Sequence, residues 1–125
     1  MIQENLIVLA VDDDMINLKL LKSMLKKSGK VTEVIEAGDG SEAIGVLKSR
    51  DDIDIILLDI IMPIMGGIDM LKVVRADDSL RQLPIIVLTT DETKKVEALE
   101  CGANGFLMKP IRNEDLMKKI ASVLV

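Results

Sequence analysis

Five short runs of apolar, largely β-branched residues punctuate the chain: Leu6 to Val11, Val31 to Glu36, Ile53 to Leu58, Pro84 to Leu88 and Gly105 to Met108. Their length and the polar or turn-forming residues between them predict five β-strands. Four are more continuously apolar than a strand with one wet face would be, as expected where a parallel sheet is covered on both sides. Val31 to Glu36 partly alternates and reads as an edge strand.

Between the runs the apolar period lengthens to that of a helix. Leu18, Leu21 and Leu25, with Met24 beside them, make one face of a first helix, and Lys19, Lys22 and Lys26 take the other. Asp14 is placed to cap its start and Gly29 to follow its end. Ser41 to Ser49, Gly67 to Ala76, Glu92 to Cys101 and Asn113 to Leu124 repeat the pattern, with Gly102 ending the fourth helix and Glu114 and Asp115 opening the fifth. Strict alternation of strand and helix predicts a (βα)5 chain, a doubly wound, flavodoxin-like α/β fold around a five-stranded parallel sheet. Right-handed crossovers favour the strand order 2-1-3-4-5, which puts the ligand crevice at the carboxyl ends of strands 1 and 3.

Composition narrows the picture. A length of 125 residues suits one core, with no linker, long repeat or low-complexity stretch, so residues 1–125 are expected to form a single domain. Hydrophobic residues at 49% are enough to drive folding. Lys and Arg number 16 against 21 Asp and Glu, and the net charge of −5 opposes direct binding to nucleic acid. Histidine is absent, which excludes Ser-His-Asp and Cys-His catalysis and leaves carboxylates to do any chemistry. The single cysteine, Cys101, has no internal partner and reads as a core thiol in a reducing compartment, and the eight Met residues read mostly as core. Met1 to Asn5 has no basic stretch leading into an apolar one, and no apolar run approaches the roughly 18 residues needed to span a bilayer, so a cytoplasmic location and no membrane insertion are expected.

The candidate chemistry gathers where the fold would converge it. Strand 1 ends in Asp12, Asp13 and Asp14, strand 3 in Asp59, strand 4 in Thr89 and Thr90, and strand 5 in Lys109 and Pro110. Alone, an acid after a strand is ordinarily a helix cap, and Asp14 reads as one. Together, Asp12, Asp13 and Asp59 would repel one another across one crevice unless a cation compensated them. Mg2+ suits such oxygen ligands and keeps a position open for a phosphoryl oxygen, with Mn2+ as the alternative ion. Lys109 as a point charge and Thr89 as a hydroxyl donor would complete a phosphate cradle.

Four separated blocks carry a resemblance that covers essentially the whole chain: Val11-Asp12-Asp13-Asp14, Leu57-Leu58-Asp59-Ile60-Ile61-Met62-Pro63, Pro84 to Thr89, and Gly102 to Pro110. With these the sequence resembles the response-regulator receiver domains of two-component phosphorelay signalling. The resemblance implies that Asp59 is the phosphoacceptor. Asp13 would ligate the metal directly, Asp12 through water, and Ile61 through its backbone carbonyl. Thr89 and the aromatic position, here Phe106, would carry the conformational switch with Lys109, reshaping a surface of helix 4, strand 5 and helix 5. The implied partners are a sensor histidine kinase or histidine phosphotransfer protein and a downstream protein target. The implied activity is that of a signalling switch, which catalyses its own phosphotransfer and slow dephosphorylation, and not that of an enzyme in the ordinary sense. The resemblance also implies a cis peptide at Lys109-Pro110. Departures are local: Gly66-Gly67 stands where Asp-Gly is common, Phe106 lacks the Tyr hydroxyl, and Ile61 and Asp91 occupy positions that tune loss of the phosphoryl group.

Other readings compete. Gly38-Asp39-Gly40-Ser41-Glu42-Ala43 matches a G-x-G-x-x-A dinucleotide fingerprint, but it follows the edge strand and crowds acids where a pyrophosphate would lie. A phosphatase of haloacid-dehalogenase type would need an acid at position 61, which is Ile61. An unphosphorylated pseudo-receiver serving as an interaction module is the main alternative; Mg2+ binding would separate the two. Lys19, Lys22, Lys26 and Lys27 read as a solubilising face or part of a kinase-docking surface, which Met15 and Ile16 could extend.

Overall fold

Alternation of strand and helix runs unbroken along the structure, a computed structural model that describes residues 4–124. The strands are β1 (Leu6–Val11), β2 (Val31–Ala37), β3 (Ile55–Asp59), β4 (Ile85–Thr89) and β5 (Gly105–Met108). The helices are α1 (Met15–Lys27), α2 (Gly40–Ser49), α3 (Gly67–Ala76), α4 (Lys95–Glu100) and α5 (Asn113–Leu124). All pairings are parallel and the order is β2-β1-β3-β4-β5, the doubly wound arrangement expected, with β2 on an edge. The reading of Met1 to Asn5 lies partly outside the described residues.

Two cores sandwich the sheet, because side chains alternate across each strand. On one face Leu9, Val11, Ile56 and Leu58 pack with Ala43 and Leu47 of α2, Met70, Leu71 and Val74 of α3 and Ala98 of α4. On the other, Val8, Ala10, Ile55 and Leu57 pack with Leu18, Leu21 and Leu25 of α1 and Leu116 and Ile120 of α5. Strands β1, β3 and β4 are buried nearly end to end, which is why their sequences lack alternation. Cys101 is half-buried against the first core. Among the methionines, Met15 and Met108 depart from the core reading: both are exposed, while Met70 is fully buried.

Element ends differ from the sequence reading for local reasons. Strand β3 starts at Ile55 and not Ile53, because the Asp54 carboxylate takes the Ile7 N–H (2.7 Å) and replaces a ladder bond with a side-chain one. Strand β4 starts after Pro84, which has no N–H to give, although its carbonyl accepts from Ile56 (2.9 Å). The single helix expected over Glu92 to Cys101 is split into a 3-10 turn at Glu92–Lys94 and α4, the Asp91 carboxylate accepting from the Thr93 N–H and hydroxyl at its start. Asp14 caps α1 through the Ile16 N–H (2.9 Å), Gly29 follows with φ 75°, and Gly102 ends α4 with φ 107°.

The glycine-rich turn into α2 is a capping arrangement. Asp39 accepts from the Glu42 N–H (2.9 Å) and Glu42 reaches back to the Gly38 N–H (3.0 Å), so acidic side chains occupy donors that a dinucleotide phosphate would need.

Candidate functional site

Strands β1 and β3 are neighbours that run the same way, so the acids after Val11 and Leu58 emerge side by side at the topological switch point. Asp12 is only 2% exposed and its carboxylate is fully engaged. Its Oδ1 accepts from the Asp14 N–H (2.9 Å), and its Oδ2 accepts from Lys109 Nζ (2.8 Å) and Asn17 Nδ2 (3.4 Å). Asp13 beside it faces solvent. Asp59, with a side chain 12% exposed, accepts from the Ile60 N–H through Oδ1 (2.9 Å) and holds Lys109 Nζ at 3.6 Å from Oδ2.

The three acids therefore meet. Asp12, Asp13 and Asp59 each present a carboxylate oxygen within 4.8 Å of the others. Among the described residues one ammonium, that of Lys109, faces this negative charge. Burial is the main reason that the Asp59 carboxyl is held above the ordinary carboxylate range; Lys109 and the Ile60 N–H oppose the shift, and the charges of Asp12 and Asp13 add to it. Three hard oxygen donors with more negative charge than one lysine can offset form a donor set that fits a divalent cation such as Mg2+.

Lys109 reaches the crevice because β5 ends beside β4: its N–H donates to the Thr89 carbonyl (2.9 Å) and fixes the start of the following loop. The Lys109-Pro110 peptide is cis. Thr89 lies one residue beyond the Asp59–Leu88 register pair, buried, and its hydroxyl accepts from the Asp91 N–H (3.2 Å). Phe106 pairs with Val87 and packs against the α2–α3–α4 core, outside the carboxylate cluster. Ile61 stands exposed at the start of the β3–α3 loop.

Two residues join the picture from outside the sequence reading. Asn17 donates to Asp12 from the first turn of α1, three residues after the cap, and the helical pattern alone carries no signal for it. Arg75 of α3 donates to the carbonyls of Gly102 (3.0 and 2.8 Å), Arg81 (2.9 Å) and Leu83 (2.7 Å) and to Asn104 Oδ1 (2.8 Å), tying the α4–β5 turn to the α3–β4 loop.

A doubly wound α/β domain with an acidic crevice at its switch point is the class that this geometry defines. Comparison with known proteins gives the family: the response regulator receiver domain matches residues 8–121. The chain is 34% identical over 124 residues to the chemotaxis protein CheY-3 of Vibrio cholerae serotype O1, covering 98% of this chain and 94% of that protein. The structure of Vibrio cholerae CheY4 superposes with a TM-score of 0.85 at 36% identity, over 95% of this chain and 98% of that one. The receiver domain of the sensor histidine kinase PA1611 from Pseudomonas aeruginosa PAO1, solved with a magnesium ion coordinated in its active-site cleft, gives a TM-score of 0.87 at 26% identity, over 96% of this chain and 98% of that one. This chain belongs to the response regulator receiver domains of two-component signalling. Among the described residues no helix is long and apolar enough to cross a membrane.

Proposed function

We propose that residues 1–125 act as one receiver unit that takes a phosphoryl group onto Asp59 from the phosphohistidine of a kinase or phosphotransfer protein. The single observation that carries this reading is the convergence of Asp12, Asp13 and Asp59 on one point with Lys109 beside them. Asp59 attacks phosphorus through a carboxylate oxygen, a new P–O bond forms, and the donor's N–P bond breaks with its electron pair left on the imidazole nitrogen, which then takes a proton. Asp12, Asp13, Asp59 and the Ile61 carbonyl would hold Mg2+, or Mn2+ in its place; the magnesium in the PA1611 receiver supports this assignment. The bound ion supplies positive charge against the oxygens of the transferring group. Lys109 supplies more from the protein side and keeps Asp59 oriented.

The acyl phosphate adds negative charge within reach of β4. The Thr89 hydroxyl then gives up its role as acceptor for Asp91 and donates to the phosphoryl oxygen, and Phe106 repacks into the space released. The surface affected is α4–β5–α5, where Val96, Leu99 and Met108 already stand exposed and offer a downstream protein an apolar contact. Slow hydrolysis resets the switch, and a cytoplasmic setting goes with a cytoplasmic kinase partner.

The test is phosphorylation with Mg2+ and acetyl phosphate or a labelled histidine kinase. Native protein should gain a base-labile phosphate, and Asp59→Asn should gain none. A phosphate retained by Asp59→Asn overturns the assignment, and no incorporation by the native chain from any donor favours an unphosphorylated interaction module.

A further inference from the structure

Ile64 stands in the middle of the β3–α3 loop with φ 66° and with 87% of its surface in solvent. A β-branched side chain is the least suited of ordinary residues to the left-handed region; Gly or Asn would occupy it with much less strain. The conformation is nonetheless enforced from both sides. The Met65 N–H donates to the Pro63 carbonyl across Ile64 (2.7 Å), closing a γ-turn over it, and the Met65 carbonyl accepts from the Gly40 N–H at the start of α2 (2.8 Å). The Gly67 N–H donates to the Ile60 carbonyl (2.9 Å) and ties the base of the loop one residue from Asp59. Met62 and Met65 turn into the α2–α3–α4 core, whereas Ile64 stands apart from it. Neither folding nor the carboxylate cluster calls for an isoleucine here, and strain of this kind persists where surrounding structure holds it for another purpose.

The purpose follows from what must approach Asp59. The chain contains no histidine, so a phosphohistidine arrives on another protein, and a donor that brings it to Asp59 lies over the base of this same loop. Ile61, 61% exposed, shares the loop, so two large aliphatic side chains stand in water within five residues of the acceptor. We infer that Ile64 is a specificity-determining contact for the protein phosphodonor: the strained turn presents its side chain to an apolar recess next to the donor's phosphohistidine. This rests on the reading of Asp59 as acceptor. A small acyl phosphate has no protein surface to set against Ile64, so the contact distinguishes protein donors from small ones.

Two variants separate the contact from the fold. Ile64→Asn tolerates positive φ and removes the apolar body, while Ile64→Leu keeps the body and removes the branch at Cβ. Each is compared with native protein in three measurements: melting temperature, labelling rate with acetyl phosphate and Mg2+, and kcat/KM for transfer from the autophosphorylated histidine kinase that best labels the native chain. Ile64→Asn should melt higher by on the order of 5 °C. Its ratio of kinase to acetyl phosphate rate should fall about tenfold, mainly through KM, as expected for losing a buried aliphatic contact. Ile64→Leu should recover most of that ratio. An unchanged ratio in Ile64→Asn overturns the inference, as does a lower melting temperature, which would assign the residue to the fold. Failure of acetyl phosphate and kinase alike to label the native chain would instead overturn the Asp59 reading on which this one stands.

Discussion

The proposed role of Asp59 needs an ionised carboxylate, yet its surroundings resist ionisation: burial first, then the neighbouring charges of Asp12 and Asp13, with Lys109 and the Ile60 N–H only partly offsetting them. An acid whose pKa is higher folded than unfolded favours folding below the unfolded value, about 4, and that contribution is lost as pH rises through the folded value. Asp59→Asn removes the charge at every pH. In urea denaturation with EDTA present, its stability relative to native protein should therefore grow as the pH rises above about 4. A pH-independent difference would show that burial and like charge do not set this group's behaviour. Asp12, Asp59 and Lys109 are legible in the sequence because each ends an apolar run, and a parallel sheet collects strand ends on one side. Asn17 is not, since the pattern of α1 separates buried from exposed positions but not a polar side chain facing the crevice from one facing water.

At the scale of elements, α3 can approach the end of β3 only because its first residue lacks a side chain. A Cβ on Gly67 would lie 2.3 Å from the Asp59 carbonyl oxygen and 2.8 Å from the Ile60 Cα, both backbone atoms with nowhere to go. Gly67→Ala should therefore cost about 2–4 kcal/mol and displace Asp59, lowering its phosphorylation. Gly45, exposed in the middle of α2 with nothing near its Cβ direction, is the control: Gly45→Ala should stabilise by about 1 kcal/mol. Equal effects in chemical denaturation would refute this account of the β3–α3 junction. The five strands and the helical faces are legible because period and burial coincide. The 3-10 turn before α4 is less so, because it turns on how Asp91 and Thr93 bond locally. Arg75 is the clearest omission: its bonds reach turns up to 29 residues away, and nothing in α3 itself announces them.

Across the whole molecule, folding holds three acids against one lysine, so a divalent cation held among them would stabilise the folded chain. By mass action Mg2+ at one hundred times its Kd should add about 2.7 kcal/mol to unfolding stability, and Asp13→Ala should abolish most of that increment. A native chain whose stability is indifferent to Mg2+, measured against a matched concentration of monovalent salt, would contradict the fit of this donor set. What the sequence pattern determined is the alternation of strands and helices, the cap at Asp14, and hence which polar residues come at strand ends. Only the tertiary structure decided that Lys109 bridges Asp12, 97 residues away, and Asp59, and that a tightly closed loop turns Ile64 outward against its own backbone preference. The reason is physical: a side-chain period records which face is buried, whereas distances between strand ends depend on register, crossover hand and hydrogen bonds formed only when the chain closes on itself.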